Sequence, residues 1–262
     1  MGLDRATIDA IAEELAQAER DHAVIERITA RYPDARVEDS YAIQGVWRDK
    51  ALAAGRRIAG RKIGLTSKAM QAATGITEPD YGVMFEDTVF PSGAELRHAD
   101  YSNVRIEVEL AFVLREPLEG PDCTLADVLA ATESVVPALE VLNSHIQLEG
   151  RTIVDTISDN AAYGAMVVGD TRVAPEDVDL RWVAALLARN GEIEETGVAA
   201  GVLGHPATGV AWLANRFHAH GDRLEAGEII LAGSFTRPMW VHPGDEVACD
   251  YGPLGVVTCR FV

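Results

Sequence analysis

An α+β fold, in which a helical N-terminal segment precedes a mostly β domain, is predicted by three observations on the sequence. Apolar residues recur at helical spacing within the first 55 residues. From Arg57 onward, short segments rich in β-branched residues alternate with turn residues, which is typical of strands. An Asn-Gly pair at 190–191 and a Gly-Pro-Leu-Gly segment at 252–255 each favour a hairpin between two strands. These observations divide the chain into a helical segment over 1–56 and a second domain over 57–262.

Two amphipathic helices are predicted in the N-terminal segment. The first places Ile8 and Ile11 on one face, among many charged residues. The second begins near Asp39 or Ser40, which are good N-cap residues, and ends at Gly55. Both helices need a surface on which to bury their apolar faces, and neither carries residues that suggest chemistry.

The first predicted strand, over 58–65, carries a lysine, Lys62, between two glycines. Such a lysine commonly extends its ammonium group to the surface, whereas a buried one would have a lowered pKa and could transfer protons. Asp80 follows in the turn segment 78–82. It is either a turn former or a carboxylate presented to a site.

The segment 105–114 alternates strictly between apolar side chains and a mixed set, which predicts a strand with two different faces. Glu107 and Glu109 share one face, about 7 Å apart along the strand. An E-x-E pair most often lies on a solvated face. If the pair is partly buried, the two like charges repel, and a hard divalent cation held by oxygen ligands is the economical counter-charge.

A third acid, Glu140, interrupts the otherwise apolar run 135–142. A lone acid in such a run should be paired, protonated or bound to a metal. Glu140 therefore joins the E-x-E pair as a candidate ligand. Pro137 in the same run predicts an edge strand or a bulged strand.

The net charge of −18 argues against nucleic acid or an anionic membrane surface as a partner. An anionic small substrate is compatible with this charge if a metal or arginines line its pocket. The three cysteines, Cys123, Cys249 and Cys259, have no C-x-x-C spacing, so neither a disulfide framework nor a zinc site is expected. The N-terminus has no signal-like apolar region and no run approaches a membrane span, so we expect a cytoplasmic protein.

Six short motifs follow one another along the chain. They are GRKIGLTSK at 60–68, EPDYG at 78–82, the E-x-E strand at 105–114, PALE at 137–140, SDN at 158–160 and GSFT at 233–236. Each motif is weak by itself, but the ordered set is specific. The chain thereby resembles, from residue 6 to residue 262, the hydratase/decarboxylase group of the fumarylacetoacetate hydrolase superfamily.

The resemblance implies a mixed β-sandwich roll of the fumarylacetoacetase C-terminal type as the catalytic domain over 57–262. It implies homo-oligomers in which dimers assemble into a larger ring. It further implies Mg²⁺ or Mn²⁺ held by Glu107, Glu109 and Glu140. Lys62 and Asp80 match the family's lysine and aspartate, and we expect them to act as an acid/base pair. The residues expected to line the substrate pocket are Leu65, Ser158, Asp159 and Ser234.

The implied activity is a hydratase of homoprotocatechuate and 4-hydroxyphenylacetate catabolism, which adds water to 2-oxohept-4-ene-1,7-dioate to give 4-hydroxy-2-oxoheptanedioate. Hydration of 2-hydroxypenta-2,4-dienoate and decarboxylation of 4-oxalocrotonate are close alternatives. Hydrolysis of a C–C bond in an acylpyruvate would need a His/Glu pair after the lysine strand, and no histidine lies between Lys62 and Arg97. A non-catalytic metal-binding protein would leave Lys62 and Asp80 without a role.

A seven-carbon dioate carries a second carboxylate, which needs a cation in so acidic a protein. Arg105 lies on the same strand face as the E-x-E acids, and Arg237 follows the motif at 233–236. Arginine suits this role because its planar fork binds a carboxylate through two hydrogen bonds. The alternative for Arg105 is a structural salt bridge with a neighbouring acid.

Overall fold

The computed structural model describes residues 2–67, 71 and 78–262, so Lys68 of the first motif lies outside the described residues. Within that part of the chain, helices and strands alternate in a mixed α+β arrangement, as predicted. The α-helices are α1 (Arg5–Asp21), α2 (Ile28–Arg31), α3 (Val37–Ala53), α4 (Leu125–Ala131), α5 (Ile153–Ser158) and α6 (Pro206–His218). No helix among the described residues has both the length and the apolar character needed to cross a membrane.

The strands of the described chain form two sheets. They are β1 (Ile58–Gly64), β2 (Asp80–Phe85), β3 (Val89–Pro91), β4 (Ala94–Leu96), β5 (Arg105–Leu114), β6 (Thr132–Leu142), β7 (Tyr163–Val168), β8 (Ala184–Arg189), β9 (Glu192–Val198), β10 (Ile229–Leu231), β11 (Met239–Trp240), β12 (Glu246–Asp250) and β13 (Val256–Phe261). The larger sheet has the order β2-β1-β10-β5-β6-β7-β3, with β11 paired to β5. The smaller sheet has the order β4-β13-β12-β8-β9.

The N-terminal helices pack on each other and on the larger sheet. Ile11 of α1 and Ile43 of α3 are buried in one cluster with Val83 and Phe85 of β2. Helix α3 begins at Val37, two residues before the predicted cap, because the Asp39 carboxylate reaches back to accept the backbone N–H of Arg36 at 2.9 Å. The helices thus cover the outer face of β2, and the domain boundary at residue 57 stays a prediction.

Both predicted hairpins are present. Asn190 and Gly191 join β8 to β9 with positive φ at both positions, which is the backbone that a type I′ turn needs. Strands β12 and β13 pair antiparallel across the turn at 252–255. Of the two alternatives for the run 135–142, the edge strand is excluded, because β6 pairs with β5 on one side and β7 on the other. The irregular strand is present, since the register of β6 shifts against β7 between Val141 and Leu142 and against β5 between Ser134 and Thr132. Pro137 lies one residue beyond the last β6–β7 pair, Ala138 with Val168.

The two faces of β5 meet different surroundings. Ile106, Val108, Leu110 and Phe112 are fully buried in the main core, which lies between the two sheets and α6. The intervening side chains face the other side of the larger sheet. This sheet is curled, since Lys62 of β1 reaches Glu140 of β6 across the two intervening strands β10 and β5.

The curl brings β2 close to β7, and the side chain of Asn160, which precedes β7, bridges the gap between them. The amide group of Asn160 accepts the backbone N–H of Val83 at 2.7 Å and donates to the Val83 carbonyl at 2.9 Å, as a neighbouring strand would. Asn160, Ala161 and Ala162 all have left-handed φ, at 48°, 52° and 58°. This conformation costs about 1–2 kcal/mol for each non-glycine residue, so the surrounding packing must hold the segment in place.

We expect Asn160→Ala to lower the free energy of unfolding by roughly 2–5 kcal/mol, because it leaves both buried backbone groups of Val83 without partners. Chemical denaturation measures the change. Asn190→Ala is the matched control, since Asn190 also has positive φ and two side-chain hydrogen bonds but is exposed. Equal losses of unfolding free energy in the two variants would mean that the bridge to Val83 stabilises the fold no more than the hydrogen bonds of an exposed turn do.

Candidate active site

The pairing register of the larger sheet gathers the predicted chemical residues on its inner face. Residues directly opposite each other on neighbouring strands share a face. Glu107 of β5 lies opposite Glu140 of β6, and Glu109 is the next residue of β5 on that face. Lys62 lies opposite Leu231 of β10, which in turn lies opposite an inner-face residue of β5. The curl then brings the lysine towards the acids.

The three glutamates form a compact cluster. One carboxylate oxygen from each of Glu107, Glu109 and Glu140 lies within 4.8 Å of the others. Glu109 and Glu140 are fully buried, and Glu107 is half-buried. The backbone N–H of Gly233 donates to Glu109 Oε2 at 2.8 Å, which ties the 233–236 loop to the cluster.

Lys62 and Asp80 lie beside this cluster. Lys62 Nζ is 3.2 Å from Glu140 Oε1, and both side chains are buried. Gly64, opposite Asp80 in the β1–β2 ladder, leaves the room that this packing needs. A Cβ atom on Gly64 would lie 2.2 Å from Asp80 Oδ1 and 3.2 Å from Lys62 Nζ. The glycine of the first motif therefore allows the lysine and the aspartate to approach each other.

The three glutamates, Asp80 and Lys62 together bring four carboxyl groups close to one ammonium group. This excess of acidic groups, together with burial, shifts their pKa values. Burial and the charge of Glu140 raise the pKa of Glu107 to about 7. Burial also raises the pKa of Glu109 and of Asp80. Burial lowers the pKa of Lys62, but the surrounding acids, Glu140 foremost, outweigh it and raise that pKa. The expectation that burial would lower the pKa of Lys62 is therefore wrong. The neighbouring carboxylates stabilise the ammonium form by more than burial destabilises it.

The donor set fits a hard divalent cation. Among the described residues, Glu109 Oε1 and Glu140 Oε2 are buried without a hydrogen-bond partner, and the contact of Glu140 Oε1 is its ion pair with Lys62. Buried carboxylate oxygens seldom remain unpartnered. Oxygen-only ligands at a convergent point are what Mg²⁺, Mn²⁺ and Ca²⁺ prefer. The three glutamates could hold such an ion, and their role as ligands stays a prediction.

The two candidate arginines have different surroundings. Arg105 is half-buried, with its guanidinium over the Trp240 ring at 5.3 Å and its Nε donating to the Asn103 carbonyl at 3.4 Å. Burial, together with the charge of Arg151, lowers its pKa. No ion pair of Arg105 occurs within the described ranges, so the structural salt bridge considered for it is absent there.

Arg237 lies at the surface, with 78% of its side chain exposed. Its Nη2 forms an ion pair with Glu195 Oε1 at 2.8 Å. The guanidinium of Arg237 is therefore already paired with a carboxylate that lies outside the acid cluster.

Ser158 and Asp159 use their polar groups within the protein. The Ser158 hydroxyl donates to the Val154 carbonyl at 2.8 Å. Asp159 accepts from the Ser144 hydroxyl and from both the backbone N–H and Nδ1 of His145. Both residues line a small cavity of about 40 Å³ between the N-terminal helices and the larger sheet. Their assignment to the substrate pocket stays a prediction.

Leu65 and Ser234 lie in the two loops that flank the cluster. Leu65 follows β1 with a positive φ of 58°, and its carbonyl accepts from Gln71 Nε2 at 2.8 Å. Ser234 follows Gly233, whose N–H binds Glu109, and the serine hydroxyl donates to the Thr236 carbonyl at 3.0 Å. These positions are compatible with pocket lining.

The sequence did not identify two residues that lie near the cluster, Tyr251 and Arg151. The buried Tyr251 hydroxyl lies 2.6 Å from the Ala138 carbonyl and 3.3 Å from the Glu109 carbonyl, so the smaller sheet touches the backbone of both acid-bearing strands. Arg151 acts electrostatically on Asp80 and Arg105. Neither residue belongs to a motif with chemical meaning; a tyrosine at the end of an apolar strand was the only available signal for Tyr251.

Relatives match along nearly the whole chain. The family model described as "Fumarylacetoacetate (FAA) hydrolase C-terminal" matches residues 55–262. The chain is 50% identical over 265 residues to 2-oxo-hept-4-ene-1,7-dioate hydratase of Escherichia coli, covering 99% of each protein. It is 38% identical over 250 residues to 2-keto-4-pentenoate hydratase of Paraburkholderia xenovorans, covering 95% of this chain and 93% of the relative.

A solved structure has the same fold. The 4-oxalocrotonate decarboxylase from Pseudomonas putida G7, complexed with magnesium and adipate, matches with a TM-score of 0.97 and 35% identity over 99% of each chain. The predicted mixed β-sandwich roll with N-terminal helices is confirmed by this match. The acid cluster lies within the residues that the family model covers, and the chain belongs to the fumarylacetoacetate hydrolase family.

Proposed function

We propose that this chain is a metal-dependent hydro-lyase that adds water to 2-oxohept-4-ene-1,7-dioate and forms 4-hydroxy-2-oxoheptanedioate in aromatic catabolism. The observation that carries the proposal is the buried glutamate cluster with Lys62 in an ion pair to Glu140. The identity of 50% to a hydratase of this substrate, over nearly the full length of both proteins, supports the choice of reaction.

Glu107, Glu109 and Glu140 would hold Mg²⁺ or Mn²⁺. The magnesium in the decarboxylase structure supports this assignment, and the unpartnered oxygens of Glu109 and Glu140 supply suitable ligands. A bound divalent cation would stabilise the negative charge that develops on the keto oxygen of a 2-oxo acid.

Lys62 and Asp80 are the groups that can move protons here. Hydration adds the water oxygen to C4 of the substrate and a proton to C5, so one group must accept a proton and another must donate one. The acids around Lys62 raise its pKa, which favours the ammonium form and a role as proton donor or electrostatic partner. Burial raises the pKa of Asp80, which makes this carboxylate a better proton acceptor than an exposed one.

Decarboxylation of 4-oxalocrotonate is the second candidate. The solved decarboxylase superposes over 99% of both chains, so the fold is compatible with either reaction. The higher identity to the hydratase favours hydration. The two reactions differ in one product, because only decarboxylation releases CO₂. Hydration of 2-hydroxypenta-2,4-dienoate is the third candidate, and the 38% identity to a 2-keto-4-pentenoate hydratase supports it.

We further propose a cytoplasmic homo-oligomer of dimers that form a larger ring. An apolar surface on the smaller sheet supports association with another copy. Trp182 there is 71% exposed, and it borders a groove of about 460 Å³ together with Leu186 and Pro253.

The reaction is tested by incubating the purified protein with Mg²⁺ and each of the three candidate substrates. The seven-carbon dioate is supplied as its conjugated 2-hydroxydiene tautomer, and we expect loss of that conjugated absorbance without release of CO₂, and abolition of turnover by a chelator. CO₂ release from 4-oxalocrotonate at a higher kcat/KM than hydration of the dioate would reassign the enzyme as a decarboxylase.

For the metal, we expect Glu107→Gln, Glu109→Gln and Glu140→Gln each to weaken Mg²⁺ binding by at least about tenfold, because ligand charge sets the affinity of hard cations. Isothermal titration calorimetry measures the dissociation constants. Glu133→Gln is the control, since Glu133 lies on the same strand as Glu140 but is exposed. A glutamate whose variant binds Mg²⁺ as tightly as the unaltered protein is not a ligand.

For proton transfer, we expect Lys62→Met to lower kcat by roughly 10²–10⁴-fold, the range of general acid–base catalysis. Lys50→Met is the control, because Lys50 is an exposed lysine on α3 whose ion pair is with Glu13 of α1. Thermal unfolding in Mg²⁺ establishes that the variant is folded. An unchanged kcat with a raised KM would make Lys62 an electrostatic anchor for the substrate.

A further inference from the structure

Arg105 offers a cation that forms no ion pair with a carboxylate of the described residues, although the charges of Glu107 and Glu140 act on it. In a chain of net charge −18, it has no carboxylate partner among the described residues, and its Nη2 is buried without a hydrogen bond. A buried guanidinium donor without a partner is costly, and the cost falls when an anion binds. This arrangement indicates a site that an external anion completes.

Arg105 lies on the same strand as two members of the acid cluster. Arg105 precedes Glu107 by two residues on the same face of β5, a separation of about 7 Å along the strand. That separation is comparable to the length of an extended seven-carbon chain. Arg105 lies opposite Trp240 of β11, and its guanidinium stacks over that ring. The stacking restrains the plane of the guanidinium, which favours binding of a planar carboxylate.

A second arginine approaches the same end of the strand pair. Arg105 lies opposite Leu142 at the end of β6, and Ser144 follows two residues later. Arg151 Nη1 donates to the Ser144 hydroxyl at 3.2 Å and, within the described residues, has no carboxylate partner within ion-pair distance. Its charge acts on both Arg105 and Asp80. Two guanidinium groups within electrostatic range repel each other, and a bound anion relieves the repulsion.

We propose that Arg105, assisted by Arg151, binds the far carboxylate of a dicarboxylic 2-oxo acid whose other end lies at the glutamate cluster. The inference rests on the proposed function and assigns the residues that recognise the second carboxylate of its substrate. Arg237 is not part of this subsite, because it already pairs with Glu195 at the surface.

The test compares Arg105→Met and Arg151→Met with Arg237→Met as the matched control. For each variant, kcat/KM is measured for the seven-carbon dioate and for 2-hydroxypenta-2,4-dienoate. We expect Arg105→Met to lose roughly 10- to 100-fold on the dioate, the effect of a lost charge-assisted hydrogen bond, and little on the monoacid. Arg151→Met should show a smaller loss of the same kind, and Arg237→Met should show none. Equal losses on both substrates would overturn the proposal.

A binding measurement separates this inference from the reaction itself. Calorimetry in Mg²⁺ compares 2-oxoheptanedioate with 2-oxoheptanoate, which have equal chain length and lack the alkene. The unaltered protein should prefer the dicarboxylate, and Arg105→Met should remove the preference while Arg105→Lys keeps part of it. If the protein fails to hydrate any substrate but shows this preference, the subsite stands and the reaction is wrong. If it hydrates the dioate and Arg105→Met keeps the preference, the subsite is wrong.

Discussion

Repulsion between carboxylates on adjacent strands is the constraint on which the rest of this site depends. Glu107 and Glu140 lie directly opposite each other in an antiparallel ladder, with Glu109 on the same face. In an open sheet such a pair would face water. Here the curl of the sheet encloses it and brings Lys62 to Glu140. One lysine leaves the cluster with excess negative charge, so the geometry is stable only with bound protons or a bound cation.

The opposite face of the same strand supports this burial of charge. Ile106, Val108, Leu110 and Phe112 are all fully buried between the sheets and α6. Each such side chain contributes about 1.5–3 kcal/mol by leaving water. The alternation of side chains along β5 therefore couples the apolar face, which stabilises the fold, to the face that carries the acid cluster. A one-residue slip of β5 against β6 would exchange the two faces, so the core itself enforces the position of the glutamates.

Much of this arrangement could be predicted from local patterns. The alternation at 105–114 identified a strand with two acids on one face, and the lone acid in the run 135–142 identified Glu140 as a buried partner. What the local patterns did not reveal depends on contacts distant in sequence. The raised pKa of Lys62 comes from acids on other strands, and the ion pair of Arg237 comes from β9. The bridge by Asn160 requires the curl of the whole sheet, which no local periodicity encodes.

The bridge has a consequence for the motions of β2. On one edge, β2 pairs with β1 through a ladder from Ile58 to Gly64, whereas on the other edge the amide of Asn160 supplies two hydrogen bonds at Val83. Opening that edge requires the rotation of one side chain. Amide hydrogens of β2 should therefore exchange with solvent at a lower opening free energy than those of β5 and β6. Asp80 begins this strand, so the more weakly anchored wall of the site is the one that carries this buried carboxylate.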